Sequence, residues 1–301
     1  MNNLKISVLT ATYNRANLLP RLYESIVNNI KDNIDVEWII IDDGSKDNTK
    51  ETVENFIKEN KIVIKYFFQE NQGKMQAINN VIQYAQGDLL IECDSDDYFT
   101  NNAFKSIEKA YNENKNNNNK YYALCFLKYN QNKENMGKKF QNKFTTMFDL
   151  YFKENITGEK ALVFNSNIRK QFEYEVEDGE KFITEARLHH KMDLEYVVRC
   201  FNKPIMICEY QKEGYSKNIN KLFLENPQGY YNYFKEIFDQ DMHGVTSKKR
   251  MYIYKHYILF SVLTKQKHAI KNVKGILNKI MVAILYIPGK IVTKLRIRDN
   301  N

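Results

Sequence analysis

Three carboxylates lie within four consecutive residues, Asp94-Ser95-Asp96-Asp97. They follow a short apolar run at 89–91 and precede a predicted helix over 102–111. Carboxylates this close disfavour one another's ionised form unless a partner balances their charge. A divalent cation with oxygen ligands would supply that balance, and a cation held in this way commonly also binds substrate phosphates. The alternative is a solvated acidic turn, because Asp and Ser are ordinary turn residues.

Strand and helix patterns alternate through the first hundred residues. Apolar runs predict strands at 5–10, 36–41, 62–68 and 89–93. Apolar residues at helical spacing, together with residues that favour a helix start, predict helices at 17–28, 47–57 and 73–85. This alternation predicts an α/β fold with a mainly parallel sheet flanked by helices. Ligands of such sheets bind beyond the carboxyl ends of the strands. Three polar motifs are therefore expected to meet at one sheet edge, at 10–15, 42–45 and 94–97.

Length and composition indicate a folded protein. The 301 residues suffice for one large domain, or for one domain with an appendage. Hydrophobic residues make up 43% of the chain, so we expect a sizeable core rather than global disorder. The four cysteines have no metal-type spacing and mostly lie in apolar runs, which indicates buried free thiols in a reducing compartment. The N-terminus enters a strand pattern without a signal-peptide segment, so we expect a cytoplasmic protein.

The net charge of +8 is unevenly distributed. From Val245 onward there are thirteen Lys and Arg against one acid, a net charge of +12. Residues 1–244 hold 32 basic and 36 acidic residues, a net charge of −4. The body is therefore mildly acidic and the tail strongly basic. This is not the composition of a uniformly basic nucleic-acid-binding surface, and we expect no nucleic-acid partner.

Four motifs occur in a characteristic order: T-A-T-Y-N-R at 10–15, D-D-G-S-K-D-N-T at 42–49, N-Q-G-K-M-Q-A-I-N-N at 71–80 and D-S-D-D at 94–97. In order and spacing they resemble family 2 glycosyltransferases, which have the GT-A nucleotide-sugar fold. Segments 179–185, 215–218 and 225–229 resemble the acceptor-side motifs of one bacterial branch. The resemblance covers roughly 1–235. It implies a GT-A domain with a nucleotide-binding half at 1–100 and an acceptor-side half at 101–235, followed by a basic amphipathic helical tail at 236–301.

The resemblance implies roles for residues at the ends of the first two strands. Thr10 and Asp42 would hold the nucleotide base and ribose, with Tyr13 and Arg15 close by. A carboxylate can accept a hydrogen bond from the imide N–H of uracil. This gives a physical reason for Asp42 as a nucleotide contact and favours a UDP-sugar as the donor. The alternative is that Asp42 or Asp43 only organises the turn before the next helix.

The resemblance also implies phosphate and metal contacts. Lys74 begins a predicted helix, where free N–H groups and the helix dipole attract phosphate, so it would contact the diphosphate or the sugar; a solvated surface lysine is the alternative. Asp94 would contact ribose or metal, and Asp96 would bind Mn²⁺ or Mg²⁺ that bridges the diphosphate. Ser95 lies between them and is placed with the donor. Asp97 stays open, with either an acceptor contact or a structural role.

An inverting transferase also needs a base that deprotonates the acceptor hydroxyl, and a carboxylate is the usual choice. Many relatives have Glu-Asp at this point, whereas this chain has Glu180-Lys181 and then Glu185. Glu180 and Glu185 are both candidates, and Asp178 or another acid is a third possibility. His189 and His190 follow on the same predicted helix, where adjacent side chains point in different directions. We expect acceptor contact or surface exposure for them rather than metal binding.

The tail contains an apolar run at 280–287, which is shorter than the roughly 20 residues that a membrane-spanning helix needs. Lysines and arginines flank it, a pattern typical of segments that lie on an anionic membrane. The alternative is a helix pair that packs on the body. We expect a peripheral protein on the inner face of the cell membrane, with a surface-glycan or lipid-linked acceptor.

Three other functions were weighed. A processive synthase is disfavoured because we find neither a spanning segment nor a Q-x-x-R-W motif. A nucleotidyltransferase would need a Gly-rich basic loop near the first strand, which 10–15 does not provide. A non-enzymatic module that binds anionic lipid or nucleic acid through the tail remains an alternative.

Overall fold

A computed structural model describes residues 3–31, 33–114, 120–209 and 219–299. The strands are β1 (Leu4–Thr12), β2 (Ile34–Asp42), β3 (Val63–Phe68), β4 (Leu89–Glu92), β5 (Tyr98–Phe99), β6 (Tyr121–Asn130), β7 (Phe144–Thr145), β8 (Lys160–Asn165) and β9 (Val197–Cys208). The helices are α1 (Leu19–Val27), α2 (Thr49–Glu59), α3 (Lys74–Val81), α4 (Ala103–Asn114), α5 (Met147–Phe152), α6 (Ser166–Arg169), α7 (Glu185–Met192), α8 (Ile219–Glu225), α9 (Pro227–Glu236), α10 (Ser247–Leu263) and α11 (Ile276–Asp299). The motif at 215–218 lies outside the described residues.

The described strands form one sheet in the order β3-β2-β1-β4-β8-β6-β9-β5, with β7 paired to β9. The first four strands are parallel, as the sequence predicts. Strand β8 then runs antiparallel between β4 and β6, so the second half of the sheet is mixed. The predicted α/β architecture with flanking helices is confirmed. Its parallel part carries the strand ends where the polar motifs were expected to meet.

Helices cover both faces of the sheet, which explains why β1 and β2 are apolar on both faces. On one face, α1, α2 and α4 pack in a core with Val8 and Trp38, where the Trp38 ring stacks near those of Tyr23 and Phe56. On the other face, α3, α5, α7, α9 and α10 share a larger core with Leu9. All four cysteines lie among the described residues, and each is buried and free, as predicted.

The chain continues as one packed body beyond 235. Ile253, Tyr257 and Phe260 of α10 are buried in the same core as Phe234 of α9. The aromatic rings of Phe234 and Phe260 stack with centroids 5.7 Å apart. The first part of the predicted tail is therefore a core helix, and the exposed apolar side chains of the tail are concentrated in α11.

The sequence predicts that the apolar run of the tail is too short to span a membrane, and helix α11 differs from this expectation. Its segment Ile276–Thr293 is 18 residues long, mostly solvent-exposed, and apolar enough to cross a membrane by length and composition. The sequence estimate counted only the uninterrupted run at 280–287. The helix itself continues through Lys279, Pro288 and Lys290, which makes the apolar segment longer than that run.

Candidate active site

The end of β1 lies two residues further along the chain than predicted. Thr10 is therefore inside the strand, fully buried, and its Oγ1 accepts a hydrogen bond from Trp38 Nε1 at 3.0 Å. Its side chain belongs to the core and not to the exposed strand end that the sequence predicted. Thr12 stands at the strand end instead. Its buried Oγ1 has no hydrogen-bond partner within the described part of the chain, a feature that sequence reasoning missed.

The two aspartates that follow β2 have different tasks. Asp43 is buried and accepts from the backbone N–H groups of Gln72 and Gly73 at 2.8 Å each, and from the side chains of Gln69 and Asn71. It therefore organises the loop that precedes α3. Asp42 accepts from the Ser45 N–H and the Tyr66 hydroxyl, each at 2.7 Å. Asp42 is buried like Asp43, and its two hydrogen bonds leave some of the roughly four acceptor positions of the carboxylate unused.

The loops after β1 and β2 are connected by the backbone and the side chain of Asn14. The Asn14 N–H donates to Ser45 Oγ at 2.8 Å, and Asn14 Oδ1 accepts from the Lys46 N–H at 2.7 Å. Asn14 has a positive φ of 52°, a conformation that Asn tolerates better than most residues. Its neighbour Tyr13 is half-exposed, and Arg15 is close enough to Asp96 to stabilise its negative charge. Arg15 therefore lies near the acidic turn, and Tyr13 is its exposed neighbour in the same loop.

Lys74 is the centre of the site. Its Nζ lies 2.5 Å from Asp94 Oδ1 and 2.6 Å from Glu185 Oε1. Burial opposes the charge of this ammonium group, but the two carboxylates outweigh it and raise the pKa of Lys74 well above its usual range. Lys74 in turn lowers the pKa of Glu185 to about 2. Three predicted site residues from distant parts of the sequence thus meet at one point.

The acidic turn divides into an open part and a buried part. Asp94 is half-exposed, whereas Ser95 and Asp97 are buried. Burial, together with the charges of Asp94 and Asp97, raises the pKa of Asp96 to about 6. Asp97 accepts a hydrogen bond from Lys128 Nζ at 2.6 Å, which makes it half of a buried ion pair. This contact favours the structural role for Asp97.

Two places in this region could hold a divalent cation. Asp94 and Asp96 offer hard oxygen ligands, and the raised pKa of Asp96 indicates charge repulsion that a cation would relieve. Asp97, Glu159 and Cys208 also come within ligand distance of one another. There, however, the ammonium of Lys128 already supplies the positive charge, and burial raises the pKa of the Cys208 thiol. Lys74 likewise pairs with Asp94, but the donors at Asp94 and Asp96 are all oxygen, which suits Mn²⁺ or Mg²⁺ better than a set that includes a thiol.

The two candidate bases have different environments. Glu180 Oε1 and Oε2 accept from the Gln228 and Gly229 N–H groups at 2.6 and 2.8 Å, so Glu180 caps the first turn of α9. Glu185 is the first residue of α7 and faces Lys74. The capping contacts give Glu180 a structural task at the start of α9, while burial raises the pKa of its carboxyl group. Asp178 has no contact with this cluster among the hydrogen bonds and ion pairs of the described residues.

Lys181, which follows Glu180, contacts the loop that leads into α3. Its Nζ donates to Asn71 O at 3.0 Å and Asn71 Oδ1 at 2.9 Å. Its backbone passes directly over Gly73, which has a φ of +92°. The residue thereby holds the loop that leads into Lys74.

We expect Gly73→Ala to disrupt this junction. A Cβ at residue 73 would lie 2.0 Å from Lys181 O, and the positive φ would strain any L side chain. The variant should lose several degrees of thermal stability and weaken nucleotide binding, as measured by thermal unfolding with and without nucleotide. Gly179→Ala is the matched control, since it also has a positive φ but has open space around its Cβ. Equal melting of both variants would contradict the steric explanation.

Sequence reasoning missed a buried polar network next to the site. Arg169 is fully buried, with its Nε 2.7 Å from Glu92 Oε1, and the Tyr174 hydroxyl donates to Glu92 Oε2 at 2.6 Å. Tyr174 also interacts electrostatically with Lys74 and Glu185. A signal was present in the sequence: Glu92 is a charge in an apolar strand, and a buried charge requires a partner.

The expectation of surface exposure for His189 and His190 is wrong for both. Each is buried, because α7 packs between the sheet and its neighbouring helices. The His190 ring lies among those of Phe148, Phe152 and Tyr233. Burial lowers the pKa of His190 to about 3, so it is a neutral core residue.

Comparison with solved structures identifies the fold as GT-A. S. aureus TarS 1-349, solved in complex with UDP-GlcNAc, has a TM-score of 0.66 at 15% identity over 99% of this chain and 93% of that one. The mannosyltransferase PcManGT from Pyrobaculum calidifontis, solved with GDP-Man and Mn²⁺, has a TM-score of 0.55 at 14% identity over 98% of this chain and 84% of that one. Identities this low establish the fold alone.

Comparison of sequences gives closer relatives. An uncharacterized glycosyltransferase of Mycoplasma genitalium is 31% identical over 178 residues, which are 58% of this chain and 56% of that protein. The GalNAc(5)-diNAcBac-PP-undecaprenol beta-1,3-glucosyltransferase of Campylobacter jejuni is 35% identical over 142 residues, which are 46% of this chain and 43% of that protein. The chain thus spans about half the length of these curated relatives.

The family model described as Glycosyl transferase family 2 matches residues 7–172. The match includes Asp42, Lys74 and the whole acidic turn at 94–97, and it ends before Glu180 and Glu185. Because it spans more than half of the sequence, the chain belongs to glycosyl transferase family 2.

Proposed function

We propose that this protein is an inverting, metal-dependent glycosyltransferase that moves a sugar from a nucleotide-diphospho-sugar to an acceptor hydroxyl. The observation that carries the proposal is the position of Lys74 Nζ between Asp94 and Glu185. A cation-binding carboxylate, a phosphate-binding lysine and a candidate base then share one cleft at the strand ends. In a transfer reaction with an anionic leaving group, the base would accept the acceptor proton, and the positive charges would stabilise the leaving group.

The donor lies along the ends of β1, β2 and β4 in this proposal. Asp42 accepts the imide N–H of uracil, and the unpartnered Thr12 Oγ1 is a second polar contact for the nucleoside. The diphosphate lies at the N-terminus of α3, where backbone N–H groups and Lys74 attract it. UDP is the preferred nucleotide, since TarS was solved with UDP-GlcNAc, although PcManGT was solved with GDP-Man.

Asp96 and Asp94 would hold Mn²⁺ or Mg²⁺ next to the diphosphate. The ion would neutralise charge that develops on the leaving nucleoside diphosphate. The solved complex of PcManGT with GDP-Man and Mn²⁺ supports this assignment by analogy of fold. Arg21 positions this turn, because its Nη2 donates to the backbone carbonyl of Asp96 at 2.8 Å.

Glu185 is the proposed base. The acceptor oxygen forms its bond to the anomeric carbon as the bond to the diphosphate breaks, and the hydroxyl proton passes to Glu185. A single displacement of this kind inverts the anomeric configuration. With Lys74 at 2.6 Å, the pKa of Glu185 is about 2, too low for an effective base. A bound diphosphate gives Lys74 new anionic partners, and Glu185 becomes more basic as the lysine turns toward them.

The acceptor is proposed to be a lipid-linked or surface glycan, and the protein to act on the cytoplasmic side of a membrane. The name of the Campylobacter jejuni relative, 35% identical, specifies an undecaprenol-diphosphate-linked acceptor. The exposed apolar side chains of α11 would keep the enzyme near such an acceptor. A nucleotidyltransferase is not favoured, because the loop after β1 is neither glycine-rich nor strongly basic.

A screen of donor hydrolysis tests this proposal. The full chain is incubated with UDP- and GDP-linked sugars in the presence of Mn²⁺, and nucleotide diphosphate release is measured. We expect one nucleotide class to be hydrolysed above background, and Lys74→Met to lose that activity while the exposed control Lys58→Met keeps it. If the full chain neither binds nor hydrolyses any nucleotide sugar, a non-enzymatic module that acts through the basic tail is the better explanation.

A further inference from the structure

Helix α11 has a continuous apolar stripe on its solvent side. Five isoleucines are each at least half-exposed, with Ile276 at 77% and Ile287 at 71% exposed; the stripe consists of Ile276, Ile280, Ile284, Ile287 and Ile291. At 3.6 residues per turn they fall within about 80° of the helix circumference and extend about 22 Å along the axis. Exposed apolar surface of this extent marks an interaction site rather than ordinary surface.

The opposite side of α11 is attached to the body. Val282 is fully buried, and the Tyr254 hydroxyl of α10 donates to Asn278 Oδ1 at 2.7 Å. The backbone at Gly289 approaches α10 so closely that a Cβ there would lie 2.8 Å from Ile258 Cγ2. Since α10 is a core helix, α11 cannot cross a bilayer without breaking these contacts. One face of α11 is therefore packed on α10, and the opposite face is exposed to solvent and available for a partner.

The charge around the stripe favours an anionic partner. Segment 276–293 contains no acid, and its two lysines, Lys279 and Lys290, are exposed beside the stripe. The chain from Val245 onward carries a net charge of +12. Two copies of such a tail would repel each other, so self-association through the stripe is disfavoured. Aliphatic side chains flanked by lysines match a membrane surface that contains anionic lipid.

We propose that α11 lies in the plane of an anionic membrane, with its isoleucine stripe in the interface and its Val282 face still packed on α10. The helix thus attaches the protein to one leaflet without spanning the bilayer, although its length and composition would allow a span. The inference extends the proposed function, since it holds the donor site beside a lipid-linked acceptor. The membrane contact itself is independent of sugar transfer.

Vesicle flotation with the full chain tests the contact. Vesicles of phosphatidylglycerol with phosphatidylcholine are compared with vesicles of phosphatidylcholine alone. We expect binding to the anionic vesicles only, reduced at about 1 M salt, where the Debye length falls to about 3 Å. The double variant Ile284→Asn with Ile287→Asn should bind at least tenfold more weakly. Ile57→Asn, on the exposed side of α2, is the matched control and should bind as the unaltered chain does.

The same experiment distinguishes the in-plane arrangement from its competitors. A cleavable tag added at the C-terminus should be fully accessible to protease outside the vesicles, and a protected fraction would overturn the in-plane arrangement in favour of a span. Equal flotation of the double variant and the unaltered chain would overturn the role of the stripe. If the unaltered chain formed a dimer without lipid and the double variant did not, the stripe would instead be a self-association surface.

Two readouts separate this inference from the proposed function. Both substituted isoleucines are exposed, so thermal unfolding of the double variant should match that of the unaltered chain. Hydrolysis of a soluble donor should also be unchanged, because α11 lies outside the donor site. Loss of vesicle binding with intact hydrolysis therefore supports the membrane contact. Failure of hydrolysis in the unaltered chain would count against the proposed function alone.

Discussion

Glu185→Gln is expected to lower turnover about 10²–10⁴-fold while donor affinity changes much less. The substitution keeps the size of the side chain but removes its ability to accept a proton. Lys74 retains its ion pair with Asp94 at 2.5 Å, so the donor side of the cleft should persist. Turnover and donor affinity are measured separately, by product formation under saturating donor and by calorimetric titration with the nucleotide diphosphate.

Glu180→Gln is the matched comparison for this prediction. Glu180 caps α9 through the N–H groups of Gln228 and Gly229, and Gln keeps one oxygen that can accept. We expect a lower melting temperature with turnover close to normal. If Glu180→Gln lost turnover while Glu185→Gln kept it, the assignments would have to be exchanged. If both variants kept turnover, the base would be another acid.

Asp96→Asn is expected to abolish the enhancement of nucleotide binding by Mn²⁺. The carboxylate would lose its charge and most of its affinity for a hard cation, whereas the contacts of Asp42 with the nucleoside would remain. Titration of UDP with and without Mn²⁺ should therefore give the same affinity in the variant. Asp241→Asn, which alters a surface carboxylate, should leave the Mn²⁺ effect intact. A variant that still responds to Mn²⁺ would contradict the metal assignment.

The same carboxylate implies a pH dependence. Burial and the neighbouring charges of Asp94 and Asp97 raise the pKa of Asp96 to about 6. Below that pH the carboxyl group holds a proton that a cation must displace, so Mn²⁺-dependent binding should weaken as the pH falls through about 6. The raised pKa also means that the folded state holds this proton more tightly than the unfolded chain does. The stabilisation that Asp96 contributes to folding is therefore complete only below the ordinary carboxyl pKa of 3.8, and it is lost as the pH rises through about 6.

Hydrophobic periodicity, together with the rule that ligands bind at the carboxyl ends of parallel strands, explains the part of the site that the sequence predicted. The apolar runs that became β1, β2 and β4 are buried on both sides, and parallel strands place their carboxyl ends at one edge. That geometry brings the loops of Asp42 and Asp94 together, and it can be predicted without information about long-range contacts. The family resemblance added Lys74, whose position at the start of α3 is also a local feature.

Errors arose where the environment of a side chain depends on distant segments. Thr10 was placed at a strand end, but β1 runs to Thr12 because β2 pairs with it through Asp42. His189 and His190 read as polar residues of a surface helix, yet α5 and α9 cover them. In each case the environment of the side chain depends on contacts with residues far away in the sequence, and hydrophobic periodicity gives no information about such contacts.

The sequence by itself determined the order of the strands and helices in the first hundred residues, the strand-end motifs and the acidic turn, because these depend on local periodicity and on neighbours along the chain. Only the tertiary structure gave the two glutamates their different surroundings, since Lys74 and Glu185 are separated by 111 residues and meet through packing alone. It also decided which face of α11 is free, because the other face packs on α10. Charge pairs and packed faces are properties of the folded chain.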